Sequence, residues 1–272
     1  MSGLRQLRGR LKNFLEIRDI LEGLKTLAQI EMQKLTRHQE RQIRVLEARR
    51  EPLRDLLSFH PSLWPELPEE CENVLLLLGS ERGFCGDFNA SLERLAEDWG
   101  GPLVVVGSKL KERFPRRDNV IFLVGPVAAE EVKDCHFQLL ETLNGFGTER
   151  PLRLTVLLYD DSDRAQPTPK PVWPMQEEPP EPEYAYPPDR NLPLGPLLSR
   201  LLEHYFSAVL QQLLYSSLLA ENKRRIRHLE GAVQHLDQNV ENLKRRRNKL
   251  RQEEITNEIE ILLMGAEFQG AD

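Results

Sequence analysis

The stretch IRHLEGAVQHLDQNVENL, residues 226–243, repeats apolar side chains at alternating steps of three and four. A period of 3.5 residues is typical of the seam of a left-handed coiled coil. The sequence therefore predicts a long helix that packs along a second helix. The seam positions are Ile226, Leu229, Val233, Leu236, Val240 and Leu243, and Leu250 follows after one skipped position.

The helix predicted from this seam extends far upstream. Residues 197–219 are apolar nearly all round, which indicates burial on most sides. No proline follows Pro196, so we expect the helix to run from there to about Met264. With a rise of about 1.5 Å per residue, such a helix is on the order of 100 Å long.

The N-terminal residues supply a partner for this helix. Their apolar positions follow one helical face until the pattern loosens after Met32, and Pro52 is expected to end the helix. We expect the two terminal helices to pair antiparallel, with part of the longer C-terminal helix left over. The predicted face consists of Leu4, Leu7, Leu11, Phe14, Ile17, Leu21, Leu24 and Ala28.

The prolines divide the chain into segments. All 19 lie between Pro52 and Pro196, so the first 51 and the last 76 residues contain none. The first 51 residues carry 12 Lys and Arg against 7 Asp and Glu, and the last 76 carry 11 of each. The two ends therefore have net charges of +5 and 0. Because the whole chain has a net charge of −6, the middle has a net charge of −11. We predict an N-terminal coiled-coil helix (1–51), an α/β domain (52–159), an acidic, proline-rich connector (160–196) and a C-terminal coiled-coil helix (197–272).

The middle segment alternates short apolar runs with stretches that can form helices. This alternation favours a small Rossmann-like α/β domain with a parallel sheet, and one edge strand is expected in the connector near Pro171–Met175. The predicted strands are Asn73–Gly79, Leu103–Gly107, Val120–Gly125 and Leu152–Tyr159. The predicted helices are Ala90–Trp99, Ser108–Phe114 and Ala128–Asn144.

Composition excludes several classes of protein. Cys71, Cys85 and Cys135 show no metal-ligand spacing, and three cysteines favour a reducing compartment. No apolar run exceeds five residues, the length of Val74–Leu78, which is much too short to span a membrane. His228 and His235 lie seven residues apart on one helical face, which favours a solvated face over a metal site. We expect neither a metal nor a cofactor.

A glycine-rich loop, GSERGFCG at residues 79–86, lies between a predicted strand and a predicted helix. Phosphates bind at such loops in doubly wound folds. This loop lacks the Lys-Ser/Thr of a P-loop and does not match GxGxxG, so a structural turn is favoured. Cys85 is a weak candidate nucleophile because Asp87 opposes a thiolate. A nucleotide site, and with it an enzyme, remains the alternative.

A basic run, Lys244–Arg251, lies near the end of the long helix. It follows the heptads, whereas in basic zippers the basic region precedes them. A solvated face or a contact with an acidic protein surface is favoured over binding of nucleic acid. A stand-alone coiled-coil adaptor is a further alternative.

Three blocks of sequence resemble one known family. Gly79–Asn89 resembles the signature S-D-R-G-L-C-G-G-F-N, and Ala220–Arg225 stands in the place of an S-E-x-x-A-R block. Asn248–Ile259, followed by Gly265-Ala266, is similar to the ending N-x-x-R-Q-x-x-I-T-x-E-I. In order, spacing and length the chain resembles the γ subunit of F-type ATP synthases.

The resemblance implies a rotor without catalytic activity of its own. In that family the terminal helices form an asymmetric coiled coil inside a hexamer of α and β subunits, while the sheet domain lies near the ε subunit and the membrane c-ring. It implies a peripheral position on the cytoplasmic face of a bacterial inner membrane. No cofactor and no nucleic acid are implied.

The resemblance also assigns residues, one at a time. Arg251, Gln252 and Thr256 match positions that hold a loop of β near the upper part of the shaft. Glu221 and Arg225 match positions of a lower contact with β.

The chain also departs from the family pattern. Leu24 stands where the family has methionine, Glu31 where it has lysine and Asp87 where it has glycine. These departures suggest a divergent bacterial branch, such as the alternative ATPases that some bacteria carry.

Overall fold

The computed structural model describes residues 2–64, 70–114, 119–146, 150–159, 166–175 and 181–269. Two short 3-10 helices, Pro61–Leu63 and Ala129–Glu131, accompany the longer elements. The α-helices and β-strands are, in chain order, α1 Ser2–Phe59, β1 Glu72–Leu78, α2 Phe88–Ala96, β2 Leu103–Val106, α3 Ser108–Lys111, β3 Val120–Leu123, α4 Val132–Phe146, β4 Leu152–Leu158, β5 Thr168–Trp173 and α5 Leu194–Gln269.

The chain folds into two compact units, and each takes a part of both long helices. The coil unit consists of Met1–Leu27 together with Arg227–Asp272, and the sheet unit consists of Ala28–Ile226. The units therefore divide the chain inside α1 and α5, whereas the four sequence segments are bounded by the positions of the prolines.

The sheet unit contains a five-stranded sheet in the order β3-β2-β1-β4-β5. The first four of these strands run parallel to their neighbours, and β5 is antiparallel to β4. Val74–Leu78 of β1 is buried throughout because helices cover both faces of a central parallel strand. The predicted α/β fold class is confirmed. The edge strand expected near Pro171–Met175 is β5.

Both faces of the sheet are apolar. One packs against α4 and the Leu210–Leu219 part of α5, with Leu35 of α1 in the same cluster. The other packs against α2 and α3 through Phe88, Leu92 and Leu110. The sheet is thus the middle layer between helices, as the alternation of strands and helices predicts.

Several predicted strands extend too far because the glycines that follow them belong to turns. Gly107 has a φ of 108°, outside the extended region. A Cβ on Gly79 would lie 2.5 Å from side-chain atoms of Leu110, so the backbone can approach α3 only without a side chain. The helix α3 is also shorter than predicted, ending at Lys111 and not at Phe114.

The predicted end of α1 at Pro52 is wrong. The helix contains Pro52 and continues to Phe59. Beyond the proline, Leu53 and Leu57 are fully buried in a cluster with Met175 and with the first turns of α5. Burial of such leucines is worth about 1.5–3 kcal/mol each, which offsets the loss of roughly 3 kcal/mol that a proline causes inside a helix.

Within the sheet unit, α1 and α5 run antiparallel. The ring of His38 stacks on Tyr215 with centroids 5.7 Å apart. Further along α1, the amide of Gln42 donates to the carbonyl of Ala208 at 3.2 Å, and Arg49 donates to the carbonyl of His204 at 3.1 Å. As residue numbers rise on α1 they fall on α5, which is the predicted orientation.

The coil unit has the same antiparallel arrangement. Arg18 lies 3.6 Å from Asp237, and every position of the predicted α5 seam from Leu229 onward is buried or half-buried. With Arg18 opposite Asp237, the start of α1 at Ser2 lies opposite about residue 253, since both helices rise equally per residue. Residues 251–261 of α5 are accordingly all exposed.

Leu4 lies outside the side chains that the structure describes, and the rest of the predicted face of α1, from Leu7 to Ala28, needs one correction. Ile17 is 46% exposed, whereas Arg18 and Lys25 take seam positions with side chains that are 37% and 16% exposed. Long cationic side chains can pack their methylenes along a seam while the charged group reaches an acidic partner, here Asp237 for Arg18. Polar pairs of this kind fix the register of a coiled coil.

The Leu53–Leu57 cluster leads to a stability prediction. Leu57→Ala should lower the free energy of unfolding by about 2–5 kcal/mol, because the side chain is fully buried and leaves a cavity. Leu95→Ala, at a position 50% exposed, should change it by less than about 0.5 kcal/mol. Urea unfolding followed by circular dichroism measures both, and equal effects of the two substitutions would contradict the packing beyond Pro52.

Candidate functional site

The loop that follows β1 is closed by its own polar groups. The amide N–H of Ser80 donates to Asn89 Oδ1 at 2.9 Å, and Asn89 Nδ2 donates to Ser80 Oγ at 2.7 Å. The Cys85 thiol donates to the same hydroxyl at 3.2 Å. All three residues are buried. We call the segment from Gly79 to Asn89 the β1 loop.

Glu81 ties the carboxyl ends of three strands together. Its Oε2 accepts the N–H of Ser108 at 2.9 Å and the N–H of Gly125 at 2.8 Å. These residues follow β2 and β3, so one carboxylate joins the ends of β1, β2 and β3. Phosphates bind at this edge of doubly wound sheets, and here a negative charge already uses two of the available amides. The arrangement does not support the alternative of a nucleotide site.

Glu221 and Arg225 of α5 hold the β1 loop. Arg225 donates to the carbonyls of Arg82, at 3.3 Å, and of Gly83, at 3.1 Å. It also donates to Asn222 Oδ1 at 3.1 Å and pairs with Glu221 one turn away. Arg225 therefore binds two successive carbonyls of the loop while Glu221 pairs with its guanidinium, and we call this contact the loop clamp.

Burial shapes the electrostatics of the loop clamp. Glu221 is 3% exposed and Arg225 is 8% exposed. Burial raises the pKa of the Glu221 carboxyl to about 7, and the attraction of Arg225 offsets only part of that rise. Burial also raises the pKa of the Cys85 thiol beside the clamp. Cys85 therefore has little thiolate character, which argues against the candidate nucleophile.

A neighbouring contact fixes the end of the β1 loop. Arg224 donates to Asp87 at 2.7 Å, and its guanidinium lies over the ring of Tyr159, 4.0 Å from the centroid. Asp87 is the residue that replaces a glycine of the family signature. The departure thus coincides with an ion pair and a cation–π contact that link the loop to α5 and β4.

The outer side of the β1 loop includes two exposed side chains besides Asp87. Arg82 is exposed, and Phe84 is 54% exposed although it is a large aromatic residue. Phe84 also has a φ of 63°, a conformation that costs a non-glycine residue about 1–2 kcal/mol. An exposed aromatic side chain on a strained, clamped turn is typical of a functional contact surface.

The other three predicted site residues lie in the coil unit. Arg251, Gln252 and Thr256 are all exposed, and the Thr256 hydroxyl donates to the carbonyl of Gln252 at 3.0 Å. The described residues therefore bring Glu221 and Arg225 together in the sheet unit and place the other three on an exposed part of α5 in the coil unit.

Sequence reasoning missed Glu81 and the pairing of Ser80 with Asn89. The loop motif contains all three residues, so the resemblance could have found them. Glu81 binds amides 27 and 44 positions away, which no local pattern indicates.

Two other features bear on function. Among the described residues, no three His, Cys, Asp or Glu side chains cluster so as to hold a metal ion. No helix in the described part of the chain is long and apolar enough to cross a membrane.

The family model for ATP synthase, ATP-synt, matches residues 3–267. The chain belongs to this family. The ATP synthase gamma chain of Desulforamulus reducens is 25% identical over 304 residues, covering 98% of this chain and 99% of that protein. The ATP synthase gamma chain of Roseobacter denitrificans is 28% identical over 216 residues, covering 71% and 72%.

A solved structure shares the fold. The chain matches one from the rotor of the Euglena gracilis mitochondrial ATP synthase with a TM-score of 0.63 at 15% identity, covering 93% of this chain and 99% of that one. The predicted resemblance to γ subunits is confirmed.

The loop clamp leads to a test by thiol reactivity. Arg225→Ala should speed alkylation of Cys85 by about tenfold or more, because the bonds that close the loop over the thiol are lost. Arg227→Ala removes an exposed cation nearby and should leave the rate unchanged. Peptide mapping separates Cys85 from Cys71 and Cys135. Equal protection of Cys85 in both variants would contradict the clamp.

The raised pKa of Glu221 predicts a pH dependence of stability. A carboxyl group whose pKa is higher in the folded state contributes its full stability below its ordinary pKa and loses it as pH rises through about 7. The wild type should therefore lose on the order of 1–3 kcal/mol relative to Glu221→Gln between about pH 5 and pH 8. Glu203→Gln, an exposed control on the same helix, should follow the wild-type profile. Urea unfolding across this range checks the prediction, and parallel profiles for wild type and Glu221→Gln would refute it.

Proposed function

We propose that the chain is the central rotor shaft of a bacterial ATP synthase and has no catalytic activity of its own. It carries torque between an ion-driven ring in the membrane and the nucleotide sites of the β subunits. The observation that carries the proposal is the family match over residues 3–267 together with the antiparallel pairing of α1 and α5. An antiparallel pair of long helices resists bending, as a shaft must.

The coil unit suits the upper contact with β. Arg251, Gln252 and Thr256 are exposed, so a partner can reach them without any rearrangement. The adjoining basic run, Lys244–Arg251, would meet an acidic surface of β. Exposed ion pairs contribute little free energy each, which suits contacts that exchange as the shaft turns.

The lower contact works differently in this proposal. Arg225 is buried and bonded to the β1 loop, and the buried Glu221 pairs with it, so both would act on β through that loop. The surface offered to β would be the exposed Arg82 and Phe84. The bonds from Arg225 to the carbonyls of Arg82 and Gly83, just before Phe84, would keep the ring in place for contact.

The partners follow from the same proposal. The chain would bind the hexamer of α and β subunits, the ε subunit and the c-ring, and would reach the membrane only through the complex. It would lie on the cytoplasmic face of the bacterial inner membrane. Neither a cofactor nor nucleic acid is required.

The proposal is tested by coupling in the assembled complex. Gln252→Leu should reduce ATP synthesis by about threefold or more, because a partner amide or carboxylate loses its hydrogen bond, while circular dichroism stays unchanged. Gln234→Leu, an exposed glutamine elsewhere on the same helix, should keep wild-type synthesis. Equal rates of ATP synthesis in wild type and Gln252→Leu would show that Gln252 takes no part in the contact with β. A wild-type chain that does not restore synthesis to a complex lacking its γ subunit would refute the function itself.

A further inference from the structure

Ala129 is held by side chains from both long helices. It begins the 3-10 helix Ala129–Glu131, which leads directly into α4, and it is 1% exposed. Its N–H donates to Glu31 Oε1 of α1 at 2.7 Å. Its carbonyl accepts the hydroxyl of Tyr215 of α5 at 3.4 Å. The two polar backbone groups of one buried residue therefore bind α1 and α5, respectively.

Neighbouring contacts strengthen this arrangement. Lys34, one turn after Glu31 on α1, donates to Glu130 at 3.3 Å. The ring of His38, one turn further, stacks on Tyr215 with an interplanar angle of 9°. A carboxylate at the first N–H of a helical turn is also favoured by the dipole of that turn. We call the set Glu31, Lys34, His38, Ala129, Glu130 and Tyr215 the Ala129 junction.

The junction does not follow from the family pattern. Glu31 stands where the resemblance expects a lysine, and a lysine ammonium cannot accept the N–H of Ala129. The reversed charge at position 31 therefore has a structural role in this chain. Glu131 binds a different amide, since its carboxylate accepts the N–H of Val127 at 2.9 Å.

Apolar packing and hydrogen bonds resist force differently. The hydrophobic attraction between α5 and the sheet is non-directional, so it does not by itself set one relative position of the two elements. Hydrogen bonds weaken steeply when they are bent or stretched. A junction that binds both backbone polar groups of one residue, each from a different helix, therefore opposes movement of α1 and α5 relative to α4.

We propose that the Ala129 junction is the coupling point at which torque passes between the sheet and the two long helices. Glu31 and Tyr215 act as positioning residues that keep α1 and α5 fixed to the start of α4 under load. This inference rests on the proposed rotor function, and it adds the residues that join the sheet to the two long helices.

The test compares Glu31→Ala, Tyr215→Phe and the double variant in the complete synthase in inverted membrane vesicles. Exposed controls are Glu40→Ala on α1 and Tyr184→Phe in the segment before α5. Two quantities are measured: ions pumped per ATP hydrolysed, and hydrogen exchange of the peptide that contains Ala129. Glu31→Asp, which keeps the carboxylate, serves as the conservative rescue.

The expected result has two parts. Exchange at Ala129 should rise by about tenfold or more in Glu31→Ala, since a charge-assisted hydrogen bond is lost. Ions pumped per ATP should fall by about twofold or more in the double variant, with ATP hydrolysis retained and with partial recovery in Glu31→Asp.

Two results overturn the inference alone. Faster exchange with an unchanged pumping ratio would show that the junction is merely structural. Unchanged exchange in Glu31→Ala would show that Glu31 does not bind the N–H of Ala129. If the wild-type chain supports no pumping, the proposed function fails and the inference fails with it.

Discussion

The packing of α5 on the sheet is the interaction on which the rest of the sheet unit depends. Leu213, Leu214 and Leu218 share one apolar cluster with Val74 and Leu76 of the central strand. Without that cover, the parallel strands would expose an apolar face to water, because their side chains are apolar on both faces of the sheet. The same helix then supplies Glu221 and Arg225 to the β1 loop and Tyr215 to Ala129. A single helix thus organises the core, the loop and the start of α4.

This arrangement explains why a sheet of the doubly wound type is combined with a function other than nucleotide binding. The carboxyl ends of parallel strands commonly hold ligands. Here Glu81 takes the amides that follow β2 and β3, and Arg225 takes the carbonyls of the β1 loop. Two amides and one guanidinium that could bind a phosphate are thereby engaged within the protein. The sheet serves as a rigid body for the helices, which suits a rotor component.

Much of the fold could be predicted from the sequence because its signals are local and periodic. The seam of α5 from Ile226 to Leu250 and the parallel strands follow from spacing alone. Ile17 was wrongly assigned to the packed face of α1, because apolar steps of three and four fit neighbouring faces equally well. The pairing of Arg18 with Asp237 decides which face packs. The end of α1 was misplaced because burial of Leu53 and Leu57, which depends on distant residues, outweighs the effect of Pro52.

The site was predictable only in part. The resemblance led to Glu221 and Arg225, but their burial under the β1 loop depends on tertiary contacts. Glu31 and Ala129 lie 98 positions apart, and nothing in either segment indicates the bond between them.

The central claim is that this chain rotates within an ATP synthase complex whose catalysis takes place on other subunits. The direct measurement is single-molecule rotation. Glu183→Cys, in an exposed segment, is labelled with a bead in a complex whose native γ-chain cysteines, Cys71, Cys85 and Cys135, are replaced by serine or alanine. The account predicts continuous rotation of the bead in one direction while the immobilised complex hydrolyses ATP. Hydrolysis at the normal rate with a stationary bead would contradict it.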